Sequence, residues 1–428
     1  MTTIVRCARA IAGGDVHEHF CFVTEGDRIQ ATGAASDLVM QYPRAELRSY
    51  GSEVIVVPGC IDGHSHAYQI LMRGWADDLP FERWRSDALY KVIPQLRPQD
   101  VYWIFRLAFD EMLAAGITTV AEFFYLNGAG NDHAVEAIRA ASDAGIRLIF
   151  ARTWMDAAYA PDAFRETIEL AQRRTGELME QFPNVEICVA PHSLHAASPE
   201  MIRAAAQFAA QRDCMLHVHV AEAQYEGAQT LERFGKTPIA LLQDLGALNE
   251  RTVAIHAIYV QSREKEMLAH SGARVIHNPM TNQYLGDGIC DVRGLQQLGV
   301  PMGLGTDADV KPSIFEEMRA AALLQKVSAL DGSALGAPAA FALGTAQGAQ
   351  ALRIAAGDLQ PGAFADYVVL DARKIDPWSP PVNALVYRAD DSWVRETFVG
   401  GKRVRTAGAC APEHALGALA GVRSTLRL

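Results

Sequence analysis

The stretch VIVVPGCIDGHSHAYQ, residues 54–69, predicts the fold of this chain because an apolar, strand-like run ends in two histidines spaced one residue apart. Residues i and i+2 of a strand point to the same face, so His64 and His66 can bind one ion. Four later segments repeat this pattern of an apolar run that ends in a polar side chain able to bind a metal. They are EICVAPHSLH (186–195), MLHVHVAEA (215–223), TVAIHAIYV (252–260) and MGLGTDADV (302–310).

These five strand ends meet only if the strands run in parallel around a barrel, whose strand C-termini all lie on one face. Apolar runs also alternate with helical stretches, as parallel β/α units require. One such helix opens with Ser198, Pro199 and Glu200, which suit the N-cap, the first helical position and a first-turn acid. We therefore predict an α/β fold with a distorted (β/α)8, TIM-like barrel.

The two ends of the chain differ from its middle. HFCFVTEGDRIQATG (19–33) and ADYVVLD (365–371) are short β-rich runs bounded by turn residues. Neither end alone supplies enough strands for a stable sheet, so we expect them to pair into one small β-sandwich module. The predicted limits are 1–57 and 358–428 for this module and 58–357 for the barrel.

Composition and charge exclude several classes of protein. Half of the 428 residues are hydrophobic and the net charge is −11, without a basic run, which argues against a nucleic-acid partner. No apolar run is long enough to cross a membrane, and no basic and apolar leader opens the chain. The seven cysteines show no CxxC spacing, which favours reduced thiols in the cytoplasm.

The expected partner is a small-molecule substrate, together with a second copy of the chain. The helix that carries Tyr102, Trp103, Phe105 and Phe109 has enough aromatic surface for a homodimer interface. A helix packed against the barrel has the same pattern, so both interpretations stay open.

The polar strand ends predict a metal site. Three neutral imidazoles and one carboxylate suit a single divalent cation, with zinc preferred and iron(II) as the alternative. A lone histidine near a strand is more often a core residue, but the combination of two HxH pairs with a strand-end aspartate favours a metal centre. Glu222 and His256 then remain beside the metal for proton transfer.

The order of these motifs resembles the amidohydrolase superfamily, in its branch of cytosine, nucleoside and formimino deaminases. The motifs are HSH, then HVHVAE (217–222), a lone histidine and a strand-end aspartate, and the tail GDLQPGAFADYVVLD (357–371) is similar to the closing β-module of that superfamily. The resemblance implies that His217 is structural. It implies a metal held by His64, His66, His219 and Asp307, with Glu222, His256 and Asp307 as the catalytic residues.

One absence bears on the number of metals. Binuclear members of that superfamily bridge two metals with a carboxylated lysine, and this chain has no lysine between Lys91 and Lys236. The resemblance therefore implies a mononuclear hydrolytic deaminase or deiminase that attacks a C=N bond with metal-activated water and releases ammonia. Asp307 accepts the proton of the water, His256 orients it, and Glu222 protonates the substrate nitrogen.

A narrower resemblance is to N-formimino-L-glutamate deiminases, through HSHAYQ, EMLAAGITTVAEFFY (111–125), APHSL and LGDG (285–288). It favours a small formimino or amidine substrate such as N-formimino-L-glutamate. The implied substrate-binding residues are Gln69, Arg85, Tyr125, His192 and His195. The last stands where those enzymes have an arginine, and a histidine lacks the bidentate fork that binds a carboxylate.

Two other interpretations are open. HNPMTN (277–282) and GLGTDADV (303–310) resemble S-adenosylhomocysteine-type and other heterocycle deaminases, so the alternative is an aminohydrolase of a heterocyclic base or nucleoside. Trp84, Trp154 or Tyr159 would then stack on the ring. The other is a scaffold that keeps only the fold, but such relatives lose metal ligands, and this chain retains them all.

Overall fold

The structure is a computed structural model that describes residues 2–75, 78–128, 130–158, 160–308, 310–407 and 413–426. Tyr159, a candidate stacking residue, and Cys410 lie outside these ranges. Within them, none of the helices combines the length and the apolar character that crossing a bilayer requires.

The strands form two separate sheets. Those from the chain ends are β1 (Thr2–Ala12), β2 (Asp15–Glu25), β3 (Arg28–Thr32), β4 (Glu46–Tyr50), β5 (Val54–Pro58), β14 (Tyr367–Asp371), β15 (Val394–Val399) and β16 (Lys402–Thr406). Those of the middle are β6 (Cys60–Ser65), β7 (Ile117–Phe124), β8 (Arg147–Trp154), β9 (Glu186–Pro191), β10 (Leu216–Val220), β11 (Thr252–His256), β12 (Arg274–His277) and β13 (Met302–Leu304).

Helices follow most strands of the middle sheet. The α-helices are α1 (Ala35–Gln41), α2 (Phe81–Trp84), α3 (Tyr90–Val92), α4 (Pro98–Ala114), α5 (Asp132–Ala144), α6 (Ile168–Gln181), α7 (Pro199–Arg212), α8 (Gln224–Phe234), α9 (Pro238–Asp244), α10 (Ser262–Ser271), α11 (Pro279–Leu285), α12 (Val292–Gln297), α13 (Ile314–Ala329), α14 (Ala337–Leu343), α15 (Ala346–Ala351), α16 (Pro381–Arg388) and α17 (Glu413–Leu426). A 3₁₀ helix spans Ala67–Met72 and a π-helical turn spans Arg85–Leu89.

The middle sheet is a parallel barrel whose strands lie in chain order from β6 to β13. It closes where the end of β6 meets the segment after β13. There the amide of Asp307 donates to the carbonyl of His64 at 2.9 Å, and the amide of His66 donates to the carbonyl of Asp307 at 2.8 Å. The predicted (β/α)8 barrel is confirmed, and its closure joins two predicted metal ligands.

The second sheet is mixed and contains strands from both chain ends, as predicted. β14 pairs antiparallel with β5, so that Tyr367 lies opposite Pro58. The rings of Tyr367 and Phe398 stack at 4.3 Å in a separate buried core that includes Phe22 and Val56. We retain 1–57, 58–357 and 358–428 as proposed limits, because β5 is the last strand before the barrel and β14 the first after it.

The aromatic helix α4 packs against the rest of the chain. Phe105 and Phe109 are fully buried in the core, and the hydroxyl of Tyr102 donates to Asp143 at 2.8 Å. These contacts match the interpretation of α4 as a helix packed against the barrel. The homodimer stays a prediction.

Candidate active site

Two glycines bring the strands that carry metal ligands close together. A Cβ atom on Gly63, between Asp62 and His64, would lie 3.0 Å from the carbonyl oxygen of Leu304. A Cβ atom on Gly305 would lie 2.7 Å from the carbonyl oxygen of His64. Neither approach tolerates a side chain, so both glycines allow the barrel to close at the site.

His64, His66, His219 and Asp307 form a buried cluster of potential metal ligands. The Nε2 atom of His219 lies 3.2 Å from that of His64 and 3.3 Å from that of His66. Oδ1 of Asp307 lies 3.4 Å and 3.5 Å from the same two nitrogens. Ligands placed about 2.0–2.1 Å from a tetrahedral zinc are about 3.3 Å apart. The donor set therefore fits one such ion.

Neighbouring groups orient these ligands. Nδ1 of His66 donates to the carbonyl of Phe123 at 2.8 Å, and Nδ1 of His219 donates to the carbonyl of His192 at 3.0 Å. With the proton on Nδ1, each Nε2 offers a lone pair to a metal. Asp62 accepts from the amide and the hydroxyl of Thr306, at 3.0 and 2.6 Å, and so fixes the residue before Asp307.

The charge states suit metal binding. Burial, together with the nearby His64, lowers the pKa of His66 to about 3, and burial also lowers the pKa of His219 well below its usual value. Burial alone would raise the pKa of Asp307, but its hydrogen bond to His64 and the surrounding imidazoles lower that pKa below the ordinary range. Neutral imidazoles and an ionised carboxylate are the forms that bind a divalent cation.

Glu222 and His256 face this cluster from the ends of β10 and β11. Nε2 of His256 lies 3.5 Å from Oε1 of Glu222 and 3.7 Å from Oδ2 of Asp307. Burial raises the pKa of Glu222 well above its usual value, and the charges of Asp287 and Asp307 raise it further. A carboxyl group with a raised pKa thus lies beside one with a lowered pKa.

The backbone is strained at two of these positions. His256 has a φ of 72° and Asp307 a φ of 56°, in the left-handed region that side chains with a Cβ rarely adopt. Such conformations persist where the surrounding structure enforces them, and they concentrate at functional sites.

One cavity brings the predicted substrate-binding residues together with the catalytic ones. Gln69, Arg85, Tyr125, His192 and His195 all line it, as do Glu222, His256 and Asp307. Within the described part of the chain, the buried Oε1 atom of Gln69 has no hydrogen-bond partner. A buried amide oxygen without a hydrogen bond costs free energy. Oε1 of Gln69 is therefore available to accept a hydrogen bond from a ligand.

The walls of the cavity are largely aromatic and apolar. They include Trp84, Leu89, Tyr90, Met155 and Leu285. The ring of Tyr125 lies edge-on to His66 and His192, at 5.2 and 5.5 Å. Trp154, in contrast, is fully buried and donates to the hydroxyl of Thr175 at 2.9 Å, so it does not line the cavity.

Comparison with known proteins agrees with this geometry. The profile of the amidohydrolase family matches residues 55–404, which include the whole barrel. The chain belongs to the amidohydrolase family. This amidohydrolase is 33% identical over 363 residues to a 5′-deoxyadenosine deaminase of Methanothermobacter thermautotrophicus, with 82% of each chain covered. It is 34% identical over 387 residues to a 5-methylthioadenosine/S-adenosylhomocysteine deaminase of Syntrophobacter fumaroxidans, covering 88% of this chain and 86% of the relative.

Solved structures show the same relationship. An adenosine deaminase from Xanthomonas campestris with bound zinc superimposes with a TM-score of 0.89 and 25% identity, covering 99% of this chain and 98% of that one. The amidohydrolase is thus a metal-dependent hydrolase of the deaminase branch that acts on non-peptide C–N bonds. The narrower resemblance to N-formimino-L-glutamate deiminases is not supported by these relatives. They favour the alternative prediction, a heterocycle deaminase.

Several residues at the site were not identified from the sequence. Glu226 accepts hydrogen bonds from the amides of Ala221, Glu222 and Ala223 at 3.0–3.1 Å, and so holds the loop that carries Glu222. Asn278 and Asn282 contact His256. The motif HNPMTN contains both asparagines but gives no sign that they meet a histidine of another strand.

Proposed function

We propose that this amidohydrolase deaminates a 6-aminopurine nucleoside or a 5′-modified relative of one, releasing ammonia and the 6-oxopurine. The observation that carries this proposal is an aromatic-walled cavity, with Trp84, Tyr90 and Tyr125, that opens onto Glu222 and Asp307. Such walls suit a flat ring, since aromatic faces stack on planar heterocycles. The three relatives named above are deaminases of adenosine-type compounds and support the same substrate class.

We assign the metal-binding role to His64, His66, His219 and Asp307, on the convergence of their ligand atoms. The ion, zinc by preference and iron(II) as the alternative, supplies when bound a Lewis acid that lowers the pKa of a water molecule. Elemental analysis of the purified protein tests this assignment. One equivalent per chain is expected, and an Asp307→Ala variant should lose it.

The protein residues then move the protons. Asp307, ionised, takes one proton from the attacking water, whose oxygen bonds to C6 of the purine. Glu222, protonated, gives its proton to the ring nitrogen N1, which makes C6 more electrophilic. Asp307 passes its proton to the amino group, the C6–N bond breaks, and ammonia leaves. Glu222 recovers a proton from the new hydroxyl group, so both residues return to their starting states.

The substrate-binding roles rest on position in the cavity. We assign Gln69 to a ligand donor group through its unpaired Oε1, and Tyr125 to the ring face. His192 stacks on His219 at 4.8 Å and so borders both the metal site and the cavity. Burial first, and then the nearby charge of Arg85, lower the pKa of the His195 imidazole to about 4. We assign Arg85 and His195 to binding an electron-rich substituent of the substrate.

An ammonia-release assay tests the proposal. The panel contains adenosine, 5′-deoxyadenosine, 5′-methylthioadenosine and S-adenosylhomocysteine, with N-formimino-L-glutamate as the contrasting substrate. We expect at least one nucleoside to react with kcat/KM above about 10⁴ M⁻¹s⁻¹, the ordinary enzyme range, and Asp307→Ala to abolish that activity. Turnover of N-formimino-L-glutamate without turnover of any nucleoside would refute the proposed substrate class.

A further inference from the structure

Two buried side-chain amides meet one nitrogen of His256. Nδ2 of Asn282 lies 3.0 Å and Nδ2 of Asn278 lies 3.3 Å from Nδ1 of the ring. Asn278 is the residue after β12 and Asn282 lies in α11, so two neighbouring segments direct polar groups at the same atom. Both asparagines are almost fully buried. Removing either amide would leave its buried hydrogen-bond partner unsatisfied, which costs free energy.

The orientation of the Asn282 amide follows from a third group. Its Nδ2 atom also lies 3.3 Å from Oδ2 of Asp287. Burial raises the pKa of Asp287 to about 7, and above that pH its carboxylate accepts hydrogen bonds and donates none, so the NH₂ group of Asn282, and not its oxygen, faces this corner. The Asp287 segment is held in turn by the hydroxyl of Tyr259, which donates to the Asp287 carbonyl. The amide therefore donates to Nδ1 of His256.

The other side of the ring leads to the same assignment. If Nδ1 accepts, the proton of the neutral imidazole is on Nε2. Nε2 faces Oε1 of Glu222 at 3.5 Å and Oδ2 of Asp307 at 3.7 Å. An N–H group is attracted to the ionised carboxylate of Asp307, whereas a lone pair would be repelled by it. Contacts at both ring nitrogens thus select one tautomer.

We propose that Asn282 and Asn278 are positioning residues that hold His256 as the Nε2–H tautomer. The imidazole then donates a hydrogen bond to the attacking oxygen and stabilises the charge that develops on it. It does not take the proton of the water, and that step is left to Asp307. The catalytic meaning rests on the proposed function, but the position of the proton does not.

The direct measurement is ¹⁵N NMR of the histidine side chains in the zinc-loaded, full-length protein, in which long-range couplings distinguish a protonated ring nitrogen from a bare one. A His256→Gln spectrum identifies the resonances of this ring. We expect Nε2 to be protonated and Nδ1 to be bare and hydrogen-bonded. A wild-type ring that is protonated on Nδ1 would overturn the inference, whether or not any substrate is found.

A paired exchange tests what the amide does. The double variant Asn282→Asp/Asp287→Asn exchanges the carboxylate and the amide between the two positions. A carboxylate, which accepts hydrogen bonds, then faces Nδ1 of His256, and the amino-acid composition is unchanged. Nδ1 should gain a proton, and kcat should fall about 10- to 100-fold, as is usual when a group that orients a site residue is removed. KM and zinc content should stay near the wild-type values. Asn282→Leu, which removes the donor without adding an acceptor, serves if the exchange does not fold, and should lower kcat in the same range.

The matched control is Gln283→Leu, which removes an exposed amide from the next position of α11. It should leave the tautomer and kcat unchanged. The inference fails if the exchanged protein keeps both the wild-type tautomer and the wild-type kcat, or if Gln283→Leu lowers kcat as much as Asn282→Leu does. If the nucleosides are not substrates but the NMR assignment holds, the proposed function fails and the tautomer stands.

Discussion

Replacement of Glu222 by glutamine separates proton transfer from metal binding. Glutamine keeps the size and shape of the side chain, and its Oε1 can still accept from Nε2 of His256, which lies 3.5 Å from Oε1 of Glu222. It has no carboxyl proton to give. Glu222 also lies outside the metal-ligand cluster. The variant should therefore bind metal normally and lose only the general acid.

The size of the loss follows from the usual value of such a step. A positioned acid or base contributes about 10²–10⁴-fold, so kcat should fall at least about 100-fold, or about 2.7 kcal/mol of transition-state stabilisation. Ammonia release measures the fall in kcat, and elemental analysis of the same preparation measures the metal content. Glu232→Gln, at an exposed position of α8, is the matched control. A fully active Glu222→Gln enzyme, or one that has lost its metal, would refute the assigned role.

Three further predictions concern the rest of the molecule. Glu166→Gln leaves the buried charge of Arg152, which it meets at two distances of 2.8 Å, without its partner, so the free energy of unfolding in urea should fall by about 3–5 kcal/mol. Burial and the nearby His256 lower the pKa of His277 to about 3, so its stabilisation is complete above the unfolded pKa of about 6.5 and is lost as pH falls towards 3. Between pH 7.5 and 5.5 the wild type should therefore lose about 1.4 kcal/mol more than His277→Gln in urea titrations. Burial first, and an aspartate nearby, raise the pKa of Cys60 and of Cys290 to about 12 each, so neither thiol should react with a disulfide reagent until the protein unfolds.

The barrel was predictable because its signals are local. Five segments are short apolar runs that end in a polar side chain, and the strand-end rule brings His64, His219 and Asp307 together without knowledge of the loops. The N-cap at Ser198 is another local signal, and it is confirmed, since the Ser198 hydroxyl accepts from the amide of Met201 at 3.2 Å.

The substrate pocket was less predictable because it depends on contacts between distant loops. Trp84 and Trp154 look equally able to stack on a ring, but only Trp84 lines the cavity, while Trp154 is buried against α6 through Thr175. The hydrophobic periodicity of the sequence does not distinguish the two tryptophans. The contact of Asn282 with His256 is equally invisible, because it depends on how β11 and α11 sit side by side. The narrower resemblance to formimino deiminases relied on such loop positions, and the relatives favour the nucleoside branch.

The pairing of β5 with β14 has a consequence for biosynthesis. The first five strands leave the ribosome early, yet β5 pairs with a strand that is made only after the entire barrel. β5 can pair with β1 on its other side, but until β14 is made the edge of Val54–Val57 that faces β14 has no partner, and unpaired edges of this kind promote aggregation. This edge of β5 therefore stays unpaired while all eight barrel strands are made. The same long-range pairing makes the completed β-module a late and slow step of folding.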